Sequence, residues 1–165
     1  MPYVSLESFN FKGRFIRHQN YLGELHEISG ESSELDREDA TFWVPDHHIR
    51  ASRPSVLRSV NFPFHVLRHQ SYRLKLHEYN PPLIPPEGLH ETPEQKLLRE
   101  DSLYIPVPGL AGEGVSFRSF NYPDRFIRHR DFHLWVEIAN DQLSHEDATF
   151  FVRDAFAPPP PVLIH

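Results

Sequence analysis

The sequence contains no cysteine, so disulfide frameworks, thiolate nucleophiles and Cys-type zinc sites all fall away. The lack of bridges does not fix the compartment, because secreted chains of this size fold without them. No apolar run approaches the roughly 18 residues that span a bilayer. No basic run exists either: 17 Lys and Arg are spread among 23 Asp and Glu, for a formal charge of −6. A phosphate backbone needs a concentrated cationic face, so nucleic acid is excluded as a partner. Methionine occurs once against 16 prolines, which argues for short strands divided by turns rather than helices. No leader is legible at Met1-Pro2-Tyr3, which runs straight into strand-like sequence. What is present is apolar mass: 13 Phe, 6 Tyr and 2 Trp in 165 residues, enough to bury the core of one domain.

The dominant signal is self-similarity. One copy reads VSLESFNFKGRFIRHQNYLGELHEI and closes with EDATFWV; a second reads SVLRSVNFPFHVLRHQSYRLKLHEY and closes with EDSLYIPV; a third reads VSFRSFNYPDRFIRHRDFHLWVEI and closes with EDATFFV. The Asn and His of each copy stand eight positions apart: 10 to 18, 61 to 69, 121 to 129. The His-to-Asp separation varies, at 21, 32 and 18 residues. The second copy is longest because it carries the Pro-rich stretch Pro81–Pro93, which reads as a surface insertion. Domain organisation is therefore expected as one unit over 1–165, with repeats near 1–50, 51–110 and 111–157 and a Pro-rich tail at 158–165.

Each copy resolves into about four short strands, in the first copy Ser5–Asn10, Phe15–His18, Glu24–Ile28 and Thr41–Val44. Asn10-Phe11-Lys12-Gly13, Asn61-Phe62-Pro63 and Asn121-Tyr122-Pro123 supply turns. Three such copies predict an all-β protein, specifically a β-trefoil: a six-stranded barrel capped by three hairpins. A three-bladed propeller is the rival, disfavoured because propellers carry four or more blades. Leu6, Leu57 and Phe117, then Ile16, Leu67 and Ile127, then Phe42, Leu103 and Phe150 are the expected core.

The residues able to carry chemistry recur as a trio: the His after Arg, the aromatic three positions later, and the Asp that opens the closing strand. These are His18, Tyr21 and Asp39; His69, Tyr72 and Asp101; His129, Phe132 and Asp147. A carboxylate can accept hydrogen bonds from two adjacent hydroxyls, an imidazole can donate or accept beside it, and a ring can cover the C–H face of a sugar. The competing reading is structural: an Asp before a strand often caps a turn, and a His after Arg is often a satisfied interior residue. Threefold recurrence does not separate the two, because folding constraints repeat as well. Arg17, Arg68 and Arg128 read as ion-pair partners, and Trp43 and Trp135 as packing. His47-His48 has no further ligand at a metal spacing. No cofactor or metal is called for.

The phrases Ser116-Phe117-Arg118-Ser119-Phe120-Asn121-Tyr122-Pro123, Arg128-His129 and Asp147-Ala148-Thr149-Phe150 resemble the arabinofuranosidase-B-type (AbfB) domain, a family-42 carbohydrate-binding module, across all three repeats. The resemblance implies a β-trefoil that binds arabinofuranosyl side chains of arabinoxylan or arabinan, with the His and Asp of each repeat in a pocket facing water. It also implies plant cell wall polysaccharide as partner, a catalytic glycosidase domain in a larger parent chain, and an extracellular setting. The second repeat departs from the pattern, with Asp101-Ser102-Leu103-Tyr104 in place of Asp-Ala-Thr-Phe and Val60 in place of Phe. Phe132 lacks the hydroxyl of Tyr21.

Two other functions compete. A miniature glycosidase is disfavoured, since Glu38-Asp39, Glu100-Asp101 and Glu146-Asp147 are sequence neighbours that a strand would point to opposite faces. An interaction protein binding a protein or membrane surface remains open, and 12 His would make such binding pH-sensitive.

Overall fold

A computed structural model describes residues 3–45, 53–79 and 90–160. His47-His48, residues 81–89 of the Pro-rich insertion and the tail from Pro161 onward lie outside the described residues. In the first repeat the chain forms β1 (Tyr3–Ser8), β2 (Arg14–Gln19), β3 (Leu22–Glu27), α1 (Glu34–Asp39) and β4 (Phe42–Trp43). The second contributes β5 (Arg58–Ser59), β6 (His65–Gln70), β7 (Arg73–Glu78), α2 (Pro93–Asp101) and β8 (Tyr104–Pro108). The third contributes β9 (Val115–Ser119), β10 (Arg125–Arg130), β11 (His133–Ile138), α3 (Gln142–Asp147) and β12 (Phe150–Asp154). Four strands per repeat match the sequence reading.

The β-trefoil expectation is corrected here. All twelve strands join one sheet, in the order β10-β11-β3-β7-β6-β5-β4-β1-β12-β9, and β9 returns to β10. The result is a closed all-β barrel of ten strands, with β2 branching between β1 and β3 and β8 added beside β9. The hairpins are not caps on a separate six-stranded barrel. Their strands are part of the wall, through pairs such as Leu22↔Lys75 and His133↔Glu24. A repeat specifies how many strands each unit has, but not which strand of the next unit it pairs with. Closure leaves the wall without an open edge.

The short helices were also unforeseen, although their start signals are legible. Ser33 Oγ accepts from Asp36 N. Thr92 and Gln95 form a reciprocal capping box with Pro93 at the first helical position, and Asp141 and Ser144 form another. These caps satisfy amide groups that such short helices would otherwise leave unpaired. Each helix ends at the Asp that sequence placed at the mouth of the closing strand: Asp39, Asp101 and Asp147.

All nine expected core residues are buried. Leu103, however, sits in a satellite cluster with Val56, Val66 and Tyr79, whereas Tyr104 occupies the central core beside Phe42 and Phe150. With a side-chain period of two, one position decides the face. The Tyr104 hydroxyl donates to the Leu67 carbonyl at 3.2 Å. Trp43 packs against that satellite cluster, as expected of a packing residue.

The C-terminal segment straps the first repeat. Phe156 packs edge-on against Phe15 at 4.7 Å and covers Ile28 and Ala40. Phe156 N donates to Ser5 Oγ and Ala157 N to Thr41 Oγ1. Leu110 N and Ala111 N repeat this on Ser116 and Thr149 of the third repeat, so the same device covers two units. Replacing Phe156 with Ala removes a half-buried ring, and we expect a loss of about 2 kcal/mol, read as a lowered urea midpoint with unchanged far-UV dichroism.

Candidate functional site

The three sites begin at three tight hairpin turns. Asn20-Tyr21, Ser71-Tyr72 and Asp131-Phe132 all have positive φ, between 52° and 64°, and close β2–β3, β6–β7 and β10–β11. Right-handed strand twist favours such two-residue turns. Bulky aromatics in the left-handed region cost roughly 1–2 kcal/mol each, so something must hold them. Their carbonyls do: Leu76 N donates to Tyr21 O, Val136 N to Tyr72 O and Leu25 N to Phe132 O, all at 2.8 Å. Every one of these bonds runs from one repeat to the next.

Below each turn lies a polar cluster that also crosses between repeats. Arg17 Nη2 reaches Asp39 Oδ2 at 2.5 Å, and Arg68–Asp101 and Arg128–Asp147 are the equivalent ion pairs. The other carboxylate oxygen accepts from an asparagine of the neighbouring repeat: Asn61 to Asp39, Asn121 to Asp101 and Asn10 to Asp147, each at 2.8 Å. Because the carboxylate takes the amide N–H, the amide oxygen faces the imidazole. His18 Nε2 therefore donates to Asn61 Oδ1 at 2.9 Å, and His69 and His129 donate to Asn121 and Asn10 at 2.8 Å. Ser59, Ser119 and Ser8 donate to the same asparagine oxygens or beside them and accept from the backbone three residues on. The constant Asn-to-His spacing in sequence thus serves contacts between repeats, not within one.

The cluster is nearly sealed. His18, His69 and His129 are 2–3% exposed, and Asp39, Asp101 and Asp147 are 3–6%. The aromatics are what water meets: Tyr21 is 59% exposed, and Tyr72 and Phe132 about 40%. The sequence therefore brought each trio together, but the imidazole–carboxylate couple forms the floor rather than the mouth. The second set lies in an open depression of 270 Å³ lined by Arg68, His69, Gln70, Ser71, Tyr72, Leu97, Asp101 and Tyr122. A depression of 510 Å³ along β1, β12 and residues 155–159 contains none of the recurrent residues.

Three further rings beside the trios were missed. Phe62, Tyr122 and Phe11 follow the asparagines and bring a second ring to each site. Tyr21 and Phe62 lie nearly parallel at 6.0 Å, Tyr72 and Tyr122 edge-on at 5.7 Å, and Phe132 and Phe11 edge-on at 5.6 Å. Arg125 stacks over Tyr72 at 3.8 Å and Arg14 over Phe132 at 4.1 Å. At the first site His65 takes that place, 6.2 Å from Tyr21. The signal was available: an aromatic follows each Asn, and a basic residue stands four positions after it.

Burial pushes all three site imidazoles below the ordinary histidine range, against the opposing pull of the nearby carboxylates and, for His18 and His69, of the Asn oxygens that accept from them. They are neutral at pH 7, which fits Nε2–H donating to an amide oxygen. The unfolded chain then binds protons first as pH falls. Stability is complete above about pH 7 and declines as pH drops below the free-histidine value near 6.5. We expect the melting midpoint to fall between pH 7.5 and 5, and a His129→Gln variant to flatten that fall. Asn121→Ala strips Asp101 of a donor and His69 of an acceptor, both buried. The expected cost is about 2–4 kcal/mol, measured by chemical denaturation.

A family model described as the Alpha-L-arabinofuranosidase B (ABFB) domain matches residues 1–83 and 88–152. Alpha-L-arabinofuranosidase B of Penicillium canescens is 25% identical over 151 residues, covering 87% of this chain and 30% of that protein. A probable alpha-L-arabinofuranosidase B of Aspergillus clavatus is 27% identical over 116 residues, covering 70% and 20%. Among solved structures, an arabinofuranosidase complexed with arabinofuranosyl-alpha-1,2-xylobiose aligns over 94% of this chain and 31% of its own, with a TM-score of 0.77 and 26% identity. The chain spans less than a third of the length of these relatives.

Proposed function

Since the chain belongs to the Alpha-L-arabinofuranosidase B (ABFB) domain family, we propose that it binds carbohydrate without cutting it, taking arabinofuranose side chains at one site per repeat. The observation that carries this reading is the strained aromatic at each turn. Tyr21, Tyr72 and Phe132 hold a large exposed ring in a backbone region that disfavours it, and such strain concentrates where a ligand is gripped. Under each ring lie groups suited to hydroxyls. Each Asp spends one oxygen on Arg and one on Asn, which leaves two of about four lone-pair directions for a sugar. The neutral His donates through Nε2, so its Nδ1 is left as an acceptor.

The site residues proposed are His18, Tyr21 and Asp39; His69, Tyr72 and Asp101; His129, Phe132 and Asp147. The second site, which departs most from the recurrent phrase, is the one that opens into the 270 Å³ depression. Three weak sites on one body gain avidity on a polymer that displays many side chains. The relatives' catalytic activity belongs to proteins about three times this length. We therefore assign this chain the role of tether to plant cell wall polysaccharide, outside the cell and beside a catalytic domain. No helix among the described residues is long and apolar enough to cross a membrane.

The carboxylates are poor test residues, because removing Asp101 takes from the buried Arg68 the carboxylate it pairs with and costs about 3–5 kcal/mol in folding. The aromatics are good ones. Asn tolerates positive φ, so Tyr21→Asn, Tyr72→Asn and Phe132→Asn combined should leave the melting midpoint within a few degrees. The same triple variant should lose at least about tenfold in arabinoxylan affinity, measured by affinity electrophoresis. Unchanged retention would refute the reading, and release of arabinose from arabinoxylan by the purified chain would refute its non-catalytic part.

A further inference from the structure

Each helix carries an exposed leucine four residues before its site Asp: Leu35 before Asp39, Leu97 before Asp101 and Leu143 before Asp147. They are 61%, 51% and 62% exposed. One exposed leucine needs no explanation. Three at one structural position, in helices with three different N-cap residues, do. Their neighbours show that the position is not a packing site. In α2 it is Leu98, the next residue, that packs on the satellite cluster.

Residues four apart lie on one helix face, one turn above the other. The leucine therefore stands over the carboxylate on the solvent side of the pocket floor. At the second site this is directly visible: Leu97 lines the depression together with Tyr72, Tyr122 and Asp101. The cleft so formed has half-exposed tyrosine rings on one side and an aliphatic side chain on the other. A terminal pentose seated on His69 and Asp101 would fill the floor but leave Leu97 to whatever is linked to it.

We propose that Leu35, Leu97 and Leu143 form an outer subsite at each pocket, which takes the C–H face of the sugar to which the terminal arabinofuranose is attached. The subsite rests on the carbohydrate reading of the floor and adds a preference for a branched oligosaccharide over a single sugar. Apolar contact of this kind excludes water from C–H groups and needs no hydrogen-bond partner on the leucine.

Calorimetry with methyl α-L-arabinofuranoside and with arabinofuranosyl-α-1,2-xylobiose tests the subsite on the intact chain and on a Leu35→Ala/Leu97→Ala/Leu143→Ala variant. Alanine is the best helix former, and the leucines are exposed, so the variant should melt with the parent. The expected result is that the parent binds the trisaccharide about fivefold tighter than the methyl glycoside. The variant should lose that gain and keep its affinity for the methyl glycoside. Equal affinities in the parent, or a gain that survives in the variant, would overturn the subsite and leave the pocket floor standing. Failure of the parent to bind either ligand would overturn the floor and the subsite together.

Discussion

The molecule depends on a hydrogen-bonded relay that crosses from each repeat to its neighbour: arginine to carboxylate, carboxylate to asparagine, asparagine to imidazole. Asp39 meets Asn61, Asp101 meets Asn121 and Asp147 meets Asn10, so the third repeat hands back to the first. A buried ion pair by itself is weak evidence for stability. Here the carboxylate oxygens, the asparagine amides and the imidazole Nε2 atoms that meet at each junction are all partnered, and a satisfied buried network specifies one arrangement against its competitors. The relay fixes the amide orientation, and the amide fixes the imidazole tautomer.

Above the relay, the exposed rings are set by the same junctions. The carbonyls of Tyr21, Tyr72 and Phe132 each accept from a strand of the neighbouring repeat, which offsets the strain of their positive φ. Floor and ring are thus held by one interface, where two repeats meet. The sites share a frame yet differ in dressing. Arg125 and Arg14 cover the rings of the second and third sites, and His65 stands by the first. Identical scaffolding with different rims is how one body can present related but unequal sites.

Much of this was legible in the chain. Four strands per copy, and the recurrence of His, aromatic and Asp that the fold brings together, could be read from recurrent phrases, because side-chain identity at a buried polar junction tolerates little drift. What escaped reading was what repetition does not encode. The partner of His18 is Asn61 and not the Asn10 of its own phrase, since a recurrence fixes spacing within a copy and is silent on which copy answers. For the same reason the hairpins were expected as separate caps, whereas they are part of the wall of a closed ten-strand barrel. Leu103 was expected in the core with Phe42 and Phe150 and is buried, but in the satellite cluster, because the register of the strand places Tyr104 in the central core, where its hydroxyl finds the Leu67 carbonyl. The helices were overlooked because each is six to nine residues long, too short for an amphipathic period to show.

The return of the last repeat to the first has a temporal side. His129 and Asp147 lie 119 and 137 positions from Asn10, and β1 pairs with β12 across nearly the full chain. A nascent polypeptide emerging from the ribosome therefore exposes an orphaned Ser8-Phe9-Asn10 rim until the third repeat has been synthesised. Contacts this distant in sequence make for slow, high-contact-order folding. Such an assembly matures only once its third repeat has emerged, and a product cut short before that repeat would show sticky, half-made junctions to the surveillance machinery of the cell.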